Sequence, residues 1–145
     1  MNIEVKSILH EPSLSDGARV LVERRWPAGV KKDRANLDLW LAEVGVSPEL
    51  AGWFAQHPQH ALALRKRYFS ELVTPEALAA MEKLYALAAR RKCVTLLHAG
   101  RNAENTAAAM LKALMEGRRK PPSGSGPAKA AAASGRQRAA RPRPR

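Results

Sequence analysis

"ARVLVERRWPAG", residues 18–29, is the stretch on which the fold turns. Val20, Leu21 and Val22 follow one another without the alternation of a half-wet strand. Such a short apolar run suits a strand buried on both faces, as in a parallel sheet covered by helices. The run then turns polar at Glu23, Arg24 and Arg25 and stops at Trp26-Pro27. Pro27 has no N–H to continue pairing, and Gly29 permits a positive-φ turn. A buried strand that ends in an acid and two arginines points to an α/β sheet with functional groups at a strand's carboxyl end. Open α/β sheets bind their ligands at that edge.

Upstream, "IEVKSIL", residues 3–9, partly alternates and reads as a strand, and "HEPSLSDG" reads as a loop. Downstream, Leu37, Trp40, Leu41 and Val44 keep a three-to-four spacing that Gly45 closes, which predicts a helix from Asn36. Ser47-Pro48-Glu49 and Thr74-Pro75-Glu76 are helix starts, each with an N-cap hydroxyl and a proline at the first helical position. The first opens "PELAGWFAQ", which ends before Pro58. "HALALRKRYFSEL" follows, with Leu62, Tyr68, Phe69 and Leu72 as its apolar candidates. The second start opens "PEALAAMEKLYALAARR", with Leu78, Met81, Leu84, Tyr85 and Leu87 or Ala88 inward. "CVTLLHA" is the third strand, and "TAAAMLKALMEG" is a last helix closed by Gly117. The expected fold class is α/β, a small, mostly parallel three-stranded sheet with packed helices. The helical residues between the second and third strands suffice for a parallel crossover. The short connection after the first strand leaves that strand's orientation open.

Of 25 Lys and Arg residues in the 145-residue chain, nine fall in residues 117–145, where there is no acid. The preceding 116 residues carry 16 basic against 13 acidic side chains, a net charge of +3, so most of the formal +12 belongs to the tail. The tail, "GRRKPPSGSGPAKAAAASGRQRAARPRPR", has no large apolar side chain to offset its ordering entropy and is expected to be disordered. The domain expectation is therefore an α/β domain over 1–117 and a basic tail over 118–145. The single cysteine, Cys93, excludes an internal disulfide and fits a reducing, cytoplasmic setting. As the first residue of an apolar strand it is expected to be a buried, inert thiol. "CVTLLHA" is too short to span a membrane, and no basic-then-apolar leader is seen at the N-terminus.

"RVLVERRWPAGVKKDRANLDLWLAEVGVSPELAGWF", "RKRYFSEL" and "VTLLHAGRNAEN" resemble the YeaO-like branch of domain-of-unknown-function family 488 over residues 3–116. The segments Arg24-x-Trp26-Pro27-x-Gly29-Val30 and Asp38-Leu39-Trp40-Leu41, with Trp53-Phe54 after them, stand in that family's order and spacing. The resemblance implies a small α/β fold with a mostly parallel sheet and favours a parallel first strand. It implies no particular activity. The chain departs from the family pattern at Glu23, usually Asp, at Arg25, usually Leu, and at Ala28, usually Arg. It departs also at His98, usually Tyr, and at Thr106 and Ala107, where the family carries an Asn-His pair. These departures imply a weakened catalytic capacity, if the family is enzymatic.

With the second and third strands parallel, Glu23, Arg24, Arg25 and Trp26 share one edge with His98 and Arg101. The arginines suit a phosphate or carboxylate, Trp26 a planar ligand, and His98 acid–base work near neutral pH. Each has a plainer reading. Glu23 with Arg24 or Arg25 makes a strand-end ion pair, Trp26 packs on the Leu37–Trp40 helix, and His98 is a hydrogen-bonded structural residue. The leading expectation is a small anionic ligand at these strand ends. The competing one is a nucleic-acid-associated accessory protein. Its tail cations Arg118, Arg119, Lys120, Lys129, Arg136, Arg138, Arg141, Arg143 and Arg145 would touch phosphates without sequence preference. A protein-interaction module is a third. No cofactor is expected, since no glycine-rich phosphate loop or dinucleotide fingerprint follows any strand, and Gly-x-Ser-x-Gly is absent. No metal is expected either, because His57-x-x-His60 has no cysteine or acid cluster beside it.

Overall fold

The structure is a computed structural model. It describes residues 2–100 and 103–118, the side chains of Ala103 and Arg118 excepted. Four strands form one sheet: β1 (Ile3–Ser7), β2 (Ala18–Leu21), β3 (Leu39–Trp40) and β4 (Val94–His98), in the order β1-β4-β2-β3 and all parallel. The helices are α1 (Lys32–Ala35), α2 (Pro48–Gln56), α3 (Ala61–Glu71), α4 (Pro75–Arg90) and α5 (Ala107–Arg118). Single 3₁₀ turns lie at Leu14–Asp16, Ala42–Val44 and Ala103–Asn105. The chain divides into two units after Lys112. Of the second, only 113–118, the end of α5, belong to the described residues. The basic tail beyond Arg118, and with it the expectation of disorder, lies outside them.

The central strands behave as their sequence requires. Leu21 and Leu97 are register partners, and both are fully buried in one cluster with Ile8 and Ala35. Val20 and Leu96, which alternate to the other face, are fully buried too. A continuous Val/Leu run is what a strand covered on both faces needs. β1 pairs with β4, not with β2, in the register Ile3↔Val94 to Ser7↔His98. Its orientation, open from sequence, is parallel. The Ile8–Gly17 connection therefore carries the chain past the β4 position.

Gly17 marks the close approach in that connection. It has φ +67, and a Cβ there would stand 2.2 Å from the Cys93 carbonyl oxygen. Asp16 and Arg19 beside it form a buried polar centre. Arg19 is 2 % exposed, and its guanidinium donates to Asp16 Oδ2 at 2.6 Å and to the Ala35 carbonyl through Nη2 at 2.8 Å and Nε at 3.1 Å. Lys6 Nζ reaches both oxygens of Asp16 at 3.0 and 3.1 Å.

The sheet has four strands rather than three, because the predicted helix from Asn36 does not form. Asn36 ends α1 in the left-handed region at φ 52, and Leu39–Trp40 is an edge strand on β2. Asp38 explains the docking. Its N–H donates to the Arg19 carbonyl at 2.9 Å, and its carboxylate accepts the Arg19 N–H at 2.8 Å. The Leu41 N–H then donates to the Leu21 carbonyl at 2.9 Å. Three short elements thus place Leu37, Leu41 and Val44 inward with a spacing that mimics a helix.

The helix starts at Ser47 and Thr74 are N-caps, accepting from the Leu50 and Ala77 N–H groups at 3.1 and 3.2 Å. Some faces differ from expectation. Leu62 and Leu78 are exposed, at 67 % and 51 %, while Leu64 is buried. β1 stops at Ser7, so Leu9 lies outside it and is exposed. α5 passes through Gly117 without a cap there. Cys93 precedes β4 and is half-buried rather than enclosed; its carbonyl accepts the Ala18 N–H at 2.9 Å, and its backbone and Cβ lie close against Gly17.

Candidate functional site

All four strands are parallel, so their carboxyl ends share one edge, marked by Ser7, Val22, His98 and Leu41. The polar groups that follow β2 and β4 meet there. Glu23 is half-buried, and its Oε2 accepts the Ala99 N–H at 3.2 Å. Its backbone carbonyl accepts the Trp40 indole N–H at 2.7 Å. Among the described residues no ion pair joins Glu23 to Arg24 or Arg25. Arg24 Nε instead donates to the Gly45 carbonyl at 2.9 Å. This explains Gly45 better than helix closure does. A Cβ at Gly45 would lie 2.5 Å from the Arg24 nitrogen, so the strand end and the 3₁₀ turn touch through bare backbone. Arg25 is exposed.

Trp26 is half-buried and packs on the cluster of Ile8, Leu21, Ala35 and Leu97 together with Val30 and Leu37. Its indole N–H donates to the Val30 carbonyl at 2.7 Å, and its ring meets Trp40 edge-on at 5.5 Å. Contact with Leu37 and Trp40 was the packing alternative, though on an edge strand rather than a helix. His98 is 4 % exposed, and its Nδ1 has no hydrogen-bond partner among the described residues. Burial lowers its pKa below the ordinary 6.5, against the opposing pull of the Glu23 charge and the Gly100 backbone. Burial thus favours the neutral imidazole. Arg101 lies outside the described residues.

Two clefts open at this edge. One, of about 310 Å³, is lined by Glu23, Val46, Phe54, Leu64, Ala99, Gly100 and the start of α5 at Thr106 and Ala107. Thr106 and Ala107, singled out in the sequence as departures, thus stand in one cleft with Glu23. Its walls are mainly apolar. The other cleft, of about 340 Å³, lies between Ile8–Pro12 and Gly29–Ala35, with His10, Lys31 and Arg34 among its lining. Sequence reading missed it. Its signal was the basic segment "KKDR", residues 31–34, directly after the positive-φ Gly29, φ +81. Elsewhere, His57 and His60 flank the α2–α3 junction, where His57 stacks on Trp53 at 4.9 Å. Among the described residues no group of three His, Cys, Asp or Glu side chains could hold a metal ion, and no helix is long and apolar enough to cross a membrane.

Comparison with known proteins adds the lineage. Residues 2–133 match the family model described as the inactive DUF488-N3 subclade. An uncharacterized protein of Mycobacterium tuberculosis and one of Mycobacterium bovis are each 34% identical over 116 residues, which is 80% of this chain and 95% of theirs. The uncharacterized protein YeaO of Escherichia coli is 34% identical over 111 residues, 77% of this chain and 94% of its own. No solved structure matches at a significant level.

Proposed function

The chain belongs to the DUF488 family, in a subclade described as inactive, and from that premise we propose a cytosolic, non-catalytic protein that holds a small anionic ligand at the carboxyl edge of its sheet. The observation that carries the reading is the charge after β2. Arg24, Arg25, Lys31 and Arg34 are all exposed, and among the described residues none has an ion-pair partner. Guanidinium and ammonium groups without a carboxylate partner, beside a partly apolar edge, suit phosphate or carboxylate heads, Arg24 keeping its Nη groups for this while its Nε holds the Gly45 carbonyl. Trp26 offers a ring to a planar body.

The non-catalytic half rests on what the acid and the imidazole do. The Glu23 carboxylate is engaged by the Ala99 N–H, His98 is enclosed, and Thr106 and Ala107 bring no titratable group to the cleft. A general acid–base pair needs groups within reach of the substrate's protons.

A thermal-shift screen of the protein against nucleotides, sugar phosphates and carboxylates tests the reading. A ligand that binds only the native state raises the unfolding midpoint, by an amount set by its concentration over Kd. No rise with any anion at millimolar concentration would end the proposal.

A second reading has its own observation. Nine basic residues and no acid in residues 117–145 suit sequence-independent contact with nucleic-acid phosphates.

A further inference from the structure

We infer that the cleft between Ile8–Pro12 and Gly29–Ala35 is the seat of the anionic ligand, and that this ligand is a small organic phosphate monoester. The inference rests on the anion-binding reading and gives it a place and a chemical class.

Both walls of the cleft are held from behind by one buried centre. Lys6 Nζ donates to the Glu11 carbonyl at 2.7 Å, which fixes the first wall, and the same ammonium pairs with Asp16. Arg19 donates to the Ala35 and Asn36 carbonyls, which fixes the second wall, and it also pairs with Asp16. Asp16 thus couples the two walls. The Trp26 indole N–H anchors the second wall again through the Val30 carbonyl. A cleft braced in this way keeps its shape without a ligand, which lowers the ordering cost of binding.

The lining sets the class of ligand. His10, Lys31 and Arg34 supply cationic or donor groups, and Glu11 is the lone acid among the lining residues. Lys31 and Arg34 have no ion-pair partner among the described residues. Two cations with an imidazole suit a phosphate dianion better than a monocarboxylate. The remaining lining is apolar, chiefly Ile8, Leu9, Val30 and Ala35, so bare phosphate would leave it uncovered. A volume of about 340 Å³ lies in the range of small-molecule sites.

The test is titration of the ¹⁵N-labelled full chain with adenosine monophosphate and, separately, with inorganic phosphate, followed by amide shifts. Perturbations should concentrate in residues 8–12 and 29–35, with adenosine monophosphate the tighter of the two. Lys31→Ala with Arg34→Ala should weaken it about tenfold or more, while Arg65→Ala with Lys66→Ala, on α3 and outside the cleft lining, should change it by less than about threefold. All four side chains are exposed, and an unchanged thermal midpoint checks each variant's fold. Binding that disappears with Arg24 and Arg25 but survives loss of Lys31 and Arg34 would overturn this seat and leave the broader anion reading intact. Shifts confined to residues 117–145 would do the same. Equal affinity for the two probes would overturn the organic part. No binding of either probe would overturn the phosphate class, and the anion reading falls only if the carboxylates of the thermal screen also fail.

Discussion

Arg19 is a charge inside an apolar strand, and the sequence shows it as a lone Arg between Ala18 and Val20 without saying what compensates it. A buried guanidinium needs several acceptors, and here Asp16, Ala35 and Asn36 provide them. Arg19→Ala should cost about 3–5 kcal/mol, the range for breaking a buried pair, measured by urea unfolding. A cost below about 1 kcal/mol, the scale of an exposed pair, would show the centre to be incidental. The acid partner gives a pH signature. Burial raises the Asp16 carboxyl, but hydrogen bonds from the Ser13 N–H, Lys6 and Arg19 outweigh it, and the pKa falls below the ordinary 3.8. A depressed carboxylate contributes stability above its unfolded value that is lost as pH drops through the folded one. Asp16→Asn should flatten the acid limb of stability below about pH 4. His98 acts at higher pH. Its folded value lies below 6.5, so it contributes stability above that pH that is lost as pH falls. His98→Phe should remove that part of the slope between neutrality and the mildly acidic range. At this scale the sequence displayed the candidates Glu23, Arg24, Trp26 and His98. It could not display their partners, because the Gly45 and Val30 carbonyls carry no side-chain signal.

Elements whose ends are written in side chains were legible, and those made by backbone docking were not. Ser47-Pro48 and Thr74-Pro75 start α2 and α4 as read, because hydroxyl capping is a local matter. β3 was invisible, since two residues are too few for alternation and the signal that docks them is Asp38 reaching Arg19. The two caps also invite a comparison. Ser47 caps α2 and is bound by Glu71 at the end of α3, through both its N–H and its hydroxyl, whereas Thr74 caps α4 by its hydroxyl alone. Thr74→Ala should cost about 1 kcal/mol and Ser47→Ala nearer 2, as read from urea midpoints at constant m. Equal costs would mean that the Glu71 link contributes nothing to the α2–α3 junction.

For the whole molecule, the class of fold was legible from the continuous apolar runs in β2 and β4. The strand order was not, because nothing in one sequence says which strand lies between which. Charge distribution was legible as well, and it separates two modes of action. If the tail engages nucleic acid with about half of its nine charges, binding to any duplex should fall with salt at a log–log slope of roughly −4 on DNA. Fluorescence anisotropy at several salt concentrations, with and without residues 118–145, measures this. The chain without the tail should bind far more weakly. Equal affinity for both versions would leave the carboxyl edge as the sole candidate surface.

The order β1-β4-β2-β3 has a consequence for synthesis on the ribosome. β1 and β2 emerge first, yet neither pairs with the other; each is a flank of β4, whose residues 94–98 come much later. Until then only the two-residue β2–β3 ladder is available to a nascent sheet. Translation at about 5–20 residues per second leaves the apolar Val20–Val22 run without its central neighbour for several seconds. Nascent chains halted before β4 should accordingly stay protease-sensitive throughout, and protection should arise in one step once β4 has left the exit tunnel.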